Sequence, residues 1–294
     1  MHSQADQTSP DPRDHSADDL ASQASESSTE QRKEALTHGT IVVKIGGSTL
    51  GDHDTTLEDL VALQKQGTNP IVVHGGGKVI TQWMEMRGVR PRFVRGLRVT
   101  DAASMEIVVA VLSGVVNKSL VAGIQALGGR AMGISGADGG MVQATVADEE
   151  LGLVGAVSGV DTGPIRAVLD AGYMPVIAPL AVDCSESPTK DSLLNVNADT
   201  VAGKIAAAFG AERLVFLTDV EGVLDSSRRL IPRLTERQAR GLMHSNVVAG
   251  GMMPKIEACL AAVSEGSLTQ IVDGRKPRVL SEVLSGVLLG TRVG

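Results

Sequence analysis

The sequence predicts an α/β protein, a three-layer α/β/α sandwich built on an open, mostly parallel sheet. From residue 39 onward, short runs rich in Val and Ile alternate with longer stretches of helical periodicity. The short runs are apolar on both faces, as strands covered by helices above and below must be. Glycines follow several of these runs, and ligands of such sheets bind beyond the carboxyl ends of the strands.

Taken in order, the pattern predicts a strand over Ile41–Ile45 and a helix over 55–66. A strand over Ile71–Val73 and helices over 78–87 and 102–127 come next, then a strand over Arg130–Ile134 and a helix over 161–171. The strand at Pro175–Pro179, the helix at 198–209, the strand at Leu214–Leu217 and a helix over 254–265 complete the series. Aromatic residues make up only 2% of the chain against 43% hydrophobic, so the predicted core is aliphatic. Residues 1–38 differ in kind, being rich in Ser, Asp, Gln and Glu with Leu20 and Leu36 isolated. Such a segment buries too little apolar surface to offset its ordering entropy, and it is predicted to be a disordered tail.

Composition excludes several classes. The net charge of −7, the pI near 5.4 and the lack of a basic stripe argue against a nucleic-acid partner. The longest apolar run, Ile107 to Leu112, is too short to span a bilayer. Cys184 and Cys259 have no metal-binding or redox spacing, which fits a reducing, cytoplasmic setting.

Five loops carry candidate chemistry. Lys44 ends an apolar strand and is followed by Gly46, Gly47 and Ser48; a buried ammonium needs an anion, and the glycines let the backbone approach one. It can also snorkel from the strand end. His74-Gly75-Gly76-Gly77-Lys78 joins a strand to a helix N-terminus, where free N–H groups and the helix dipole favour phosphate, although a tight turn without ligand has the same look. His74 is expected to pack against the turn rather than to act as a base. Asn195, Asn197 and Asp199 precede an Ala-rich helix and suit either capping or a polar ligand. Gly250-Gly251-Met-Met-Pro254-Lys255 opens the helix predicted at 254–265, with Pro254 as its first residue. Lys255 then opposes the helix dipole unless an anion sits there. In Arg95-Gly96-Leu97-Arg98-Val99-Thr100-Asp101, Arg98 is the candidate for a ligand carboxylate, and Asp101 for the cap of the next helix.

Six stretches, in this order and spacing, resemble the amino-acid kinase family: Val43–Gly47, Val73–Gly77, Gly96–Thr100, Asn195–Asp199, Leu217–Gly222 and Gly250–Lys255. Within it the resemblance is to the branch that phosphorylates the side-chain carboxylate of N-acetyl-L-glutamate, in arginine biosynthesis. It covers essentially all of residues 40–294 and implies the amino-acid kinase fold, with a substrate-binding and dimerisation lobe at 39–212 and a nucleotide-binding lobe at 213–294. It further implies that Lys44 and Lys255 hold the β- and γ-phosphates of ATP and that Asp199 orients both. Gly46, Gly47, Gly75 and Gly76 would offer backbone groups to the phosphates, and Gly76, Gly77, Arg98 and Asn195 would hold the acylated amino acid. Thr218, Asp219 and Gly222 would contact the nucleoside, and Mg²⁺ would ride on ATP. A carboxylate nucleophile is already ionised at neutral pH, its reference pKa being about 4.3, so no general base is required.

Two rivals share the fold. One is a carrier-protein-linked aminoadipate or glutamate kinase of lysine biosynthesis, which differs from this chain around Gly96–Thr100 and Asn195–Asp199. The other is a non-catalytic amino-acid or nucleotide-binding regulator, which the presence of Lys44, Lys255 and Asp199 disfavours. A nicotinamide oxidoreductase lacks its dinucleotide fingerprint here. In the family, arginine inhibition goes with an N-terminal amphipathic helix and a longer segment before the final Gly-Thr. Neither pattern is present, so the expectation is a homodimer insensitive to arginine.

Overall fold

The computed structural model describes residues 39–47, 54–188, 192–245, 247–248 and 250–294. The predicted tail at 1–38 and Ser48 lie outside the described residues. The strands are β1 (Thr40–Ile45), β2 (Asn69–His74), β3 (Phe93–Val94), β4 (Leu97–Arg98), β5 (Ala131–Ser135), β6 (Val142–Val146) and β7 (Gly155–Val160). They continue with β8 (Met174–Ala178), β9 (Leu180–Asp183), β10 (Leu193–Asn195), β11 (Arg213–Thr218), β12 (Arg233–Leu234), β13 (Leu268–Asp273) and β14 (Thr291–Val293). The helices are α1 (Thr56–Lys65), α2 (Gly77–Met86), α3 (Ala102–Ala126), α4 (Gly163–Asp170), α5 (Ala198–Phe209), α6 (Glu236–His244), α7 (Met252–Val263) and α8 (Val279–Leu284).

The main sheet runs β12–β14–β13–β11–β1–β2–β8–β5. The six strands from β13 to β5 are parallel, and β14 pairs antiparallel to β13. Strand order reverses between β1 and β11, which creates a crevice at their carboxyl ends. A second, mixed sheet β10–β9–β6–β7 and the small β3–β4 hairpin stand beside it. Sequence reading misses both, and also α6, α8 and β12 to β14.

Alternation along β1 divides the core. Ile41, Val43 and Ile45 pack with Leu60 of α1, Leu120 and Ile124 of α3, and Leu280 and Val283 of α8. Lys44 therefore faces the other side, where α5 packs on β1. There α5 and α7 cross closely: a Cβ on Gly203 would lie 2.6 Å from the Cβ of Ala258, so only glycine permits the approach.

The helix α3 holds a seven-residue π-helical segment, Ala110–Val116, between α-helical halves. Continuous over 25 residues with mean hydropathy 2.0 in its most apolar window, α3 is long and apolar enough to cross a bilayer, which the short run Ile107–Leu112 alone does not suggest. Its inner face instead joins the cluster of Ile80, Met84, Met105, Val108 and Leu112. Only 39% of the apolar window is buried within the chain.

Candidate active site

Asp199 stands at the centre of a three-residue ionic cluster. Its Oδ1 lies 2.8 Å from Lys44 Nζ and its Oδ2 2.9 Å from Lys255 Nζ, with all three side chains largely buried. Asn197 makes this possible by capping α5, accepting the N–H groups of Asp199 at 2.9 Å and Thr200 at 3.1 Å. The Asp199 carboxylate is thereby released from the capping role. Burial alone would raise its pKa, but Lys44 and Lys255 outweigh burial and hold it below the usual carboxylate range. One carboxylate facing two ammonium groups leaves an excess of positive charge for an anion.

Lys255 reaches this cluster from a helix that starts earlier than predicted. Helix α7 begins at Met252 after Gly251, so Pro254 is its third residue and not its first. Proline fits there equally well, because the N–H groups of the first turn have no intrahelical acceptor. Lys255 Nζ also donates to the Gly251 carbonyl at 3.1 Å.

The β1 and β2 glycine loops meet beside Lys44. Gly46 N–H donates to Leu217 O and Gly75 N–H to Ile45 O, both at 2.9 Å. A Cβ on Gly47 would lie 3.3 Å from Gly76 N, and one on Gly75 would lie 3.9 Å from Lys44 Nζ. On Gly76 a Cβ would strike Leu112 Cδ2 at 2.7 Å. Among the described residues, the N–H groups of Gly76 and Gly77 donate to no main-chain acceptor. Free donors, a helix start and two ammonium groups together form a cradle whose chemistry suits an anion such as phosphate.

His74 takes the packing role. Burial pushes its imidazole down to about 4, with Lys44 and Lys118 nearby acting in the same direction. Its Nδ1 bonds Gly75 O at 2.8 Å and its Nε2 lies 3.1 Å from Asn117 Nδ2.

A cavity of about 180 Å³ is lined by Gly76, Gly77, Arg98 and Asn195, with Leu112 and Pro179 among its apolar walls. Arg98 is buried, and its guanidinium donates to Gly77 O at 2.9 Å, Thr81 Oγ1 at 2.8 Å and Met84 Sδ at 3.1 Å. Phe93 lies against it, 4.7 Å from Cζ to ring centroid. All these partners are neutral, and a buried cation with neutral neighbours suits a ligand carboxylate. Asn195 Nδ2 donates to Thr100 Oγ1 at 3.1 Å, and that hydroxyl donates to Arg98 O at 3.0 Å. Asp101 caps α3 through Ser104 N at 2.8 Å, as predicted.

Thr218, Asp219 and Gly222 occupy the carboxyl end of β11, next to β1 and β13. Thr218 is buried and its carbonyl accepts from Gly274 N–H at 2.8 Å. Asp219 and Glu221 add to the negative field around Arg275, which Asp273 holds at 2.8 Å through Nε and Nη2. Gly222 has φ +152°, and a Cβ there would lie 2.6 Å from Thr291 Oγ1, so close packing on β14 accounts for this glycine. Sequence reasoning missed Thr81, Thr100 and Asn117, whose roles rest on partners that only the fold brings to them.

The sequence profile described as the amino acid kinase family matches residues 39–273. The chain belongs to that family. An acetylglutamate kinase of Synechococcus sp. (strain RCC307) is 45% identical over 262 residues, covering 86% of this chain and 87% of the relative. One from Dehalococcoides mccartyi (strain ATCC BAA-2266 / KCTC 15142 / 195) is 40% identical over 254 residues, covering 86% and 93%. Among solved structures, smu.665 from Streptococcus mutans UA159 superposes with a TM-score of 0.73 at 28% identity, covering 87% of this chain and 98% of its own. Carbamate kinase from Giardia lamblia, at 14% identity, 88% and 99% coverage and TM-score 0.61, shares the amino acid kinase fold alone.

Proposed function

We propose that this chain is an ATP-dependent kinase that phosphorylates the side-chain carboxylate of N-acetyl-L-glutamate, yielding N-acetyl-L-glutamyl 5-phosphate in arginine biosynthesis. The observation that carries the reading is the Lys44–Asp199–Lys255 cluster beside the two glycine loops. Relatives named acetylglutamate kinase, 40% and 45% identical over most of the chain, support the choice of acceptor.

In this reading the acyl amino acid lies in the cavity of Arg98 and Asn195, its α-carboxylate on the guanidinium and its side-chain carboxylate toward the glycine loops. Lys44 and Lys255 neutralise the charge that develops on the transferring group, and Asp199 fixes their separation. The N–H groups of Gly47 and Gly76 line the phosphoryl path; those of Gly46 and Gly75 are bonded to Leu217 O and Ile45 O and hold the turns instead. Thr218, Asp219 and Gly222 border the nucleoside. Positioning and electrostatic stabilisation then supply the rate, with no general base. Mg²⁺ carried on the nucleotide supplies further charge neutralisation. Asp199, the carboxylate beside the cradle, is committed to both lysines, which suits a metal brought by the nucleotide.

The kinase domain is taken as residues 39–294, with residues 39–212 binding acceptor and partner protomer and 213–294 binding nucleotide. A cytoplasmic homodimer joined through α3 is the assembly that suits it, since a second copy would cover the apolar surface α3 leaves unburied. Two unpaired cysteines suit a reducing compartment.

Coupled ADP release across N-acetylglutamate, glutamate, aspartate and aminoadipate tests the reading. Turnover with N-acetylglutamate at least tenfold above the others is expected. Turnover highest with glutamate, aspartate or aminoadipate, or with none of the four, overturns it.

A further inference from the structure

The π-helical segment of α3 has a partner in the phosphate cradle. Its last residue, Val116, precedes Asn117, which is fully buried and donates Nδ2 to Val176 O at 2.8 Å. The same amide lies 3.1 Å from His74 Nε2, and Asn117 Oδ1 accepts from Lys118 Nζ at 2.9 Å. Since Nδ2 can only donate, His74 Nε2 is the acceptor, which leaves the proton of the neutral ring on Nδ1. Nδ1–H then donates to Gly75 O at 2.8 Å.

That bond fixes a peptide plane. The Gly75–Gly76 bond is trans, so its N–H points opposite to its carbonyl. With Gly75 O drawn toward His74, Gly76 N–H is turned away from the imidazole, beside Gly47. From the other side Leu112 of the π segment packs on Gly76 Cα. Single π segments recur at functional positions, and here the segment ends at the residue before the buried Asn117.

We infer that His74 and Asn117 are positioning residues for phosphoryl transfer: they lock the Gly75–Gly76 peptide so that Gly76 N–H faces the transferring group. This rests on the proposed kinase reading for its consequence, though not for its geometry. A glycine peptide free to rotate could present its carbonyl to the phosphoryl group instead, and repel it.

Two measurements test the inference. ¹⁵N chemical shifts of the histidine ring in the wild-type protein, which need no substrate, should identify His74 as the neutral Nδ1–H tautomer at pH 7; an Nε2–H tautomer or an imidazolium overturns it. Steady-state kinetics should show His74→Leu losing about 10²–10³-fold in kcat, as loss of one aligned oxyanion donor does. Both KM values should stay within about twofold, and His74→Asn, whose amide can reach Gly75 O, should recover most of kcat. A folded His74→Leu enzyme with kcat within twofold of wild type overturns the inference. If wild type phosphorylates none of the acceptors while the tautomer is as expected, the kinase reading fails and the peptide lock stands.

Discussion

Asp199 Oδ2 accepts from Lys255 Nζ at 2.9 Å across 56 residues of sequence. Its other oxygen serves Lys44, so one buried carboxylate sets the spacing of two cations drawn from β1 and α7. Substituting Asp199→Asn leaves those cations facing each other without compensation. Urea unfolding at pH 7 should show a loss of about 3–5 kcal/mol. A variant as stable as wild type would deny the carboxylate its central place.

The same residue predicts an acid dependence. The native pKa of Asp199 lies below its ordinary 3.8. A group with a depressed native pKa contributes stability above the unfolded value and loses it as pH falls through the native one. Unfolding free energy of wild type should therefore drop below about pH 4 more steeply than that of Asp199→Asn. Parallel curves for the two proteins would contradict the assignment.

Lys255→Ala should lower kcat by about 10²–10³-fold and change the KM for N-acetylglutamate little, because its charge counts most where negative charge is transferred. Near-normal turnover would remove Lys255 from the mechanism.

Arg98→Lys should raise the KM for the acyl amino acid about tenfold and leave that for ATP nearly unchanged. A point charge cannot replace the fork that spans Gly77 O, Thr81 and an incoming carboxylate. A shift in the ATP constant instead would move Arg98 to the nucleotide half.

Light scattering should give a mass near twice 30.5 kDa. Millimolar arginine should leave the rate unchanged, since only a short segment joins Leu284, the end of α8, to Thr291, the start of β14. A particle of six protomers inhibited by arginine would refute both expectations.

How much of this was legible in the chain depended on local physics. Strands such as β1, β2 and β11 were readable because helices cover both their faces, and the sequence there is continuously apolar. Strand β7, Gly155-Ala-Val-Ser-Gly-Val160, was not, because it is partly exposed and two of its six residues are glycine. β12 and β14 are two and three residues long, too short for any period. In the candidate site, Lys44 and Lys255 announced themselves as charges in unfavourable places, and Asp199 as a carboxylate at a helix start that suited either a cap or a ligand. Asn117 and Thr100 did not, because a buried amide or hydroxyl reveals its role only through the partners that folding brings to it.

The close crossing of Gly203 and Ala258 bears on how such a cleft can breathe. Asp199 lies one helical turn before Gly203, and Lys255 one turn before Ala258. Helix α5 belongs to the proposed acceptor lobe and α7 to the nucleotide lobe, so the crossing is a fulcrum shared by both. A rotation about it would swing the distant mouth of the cleft widely while the two side chains beside the pivot hardly separated. The cationic centre would then stay assembled through such a motion.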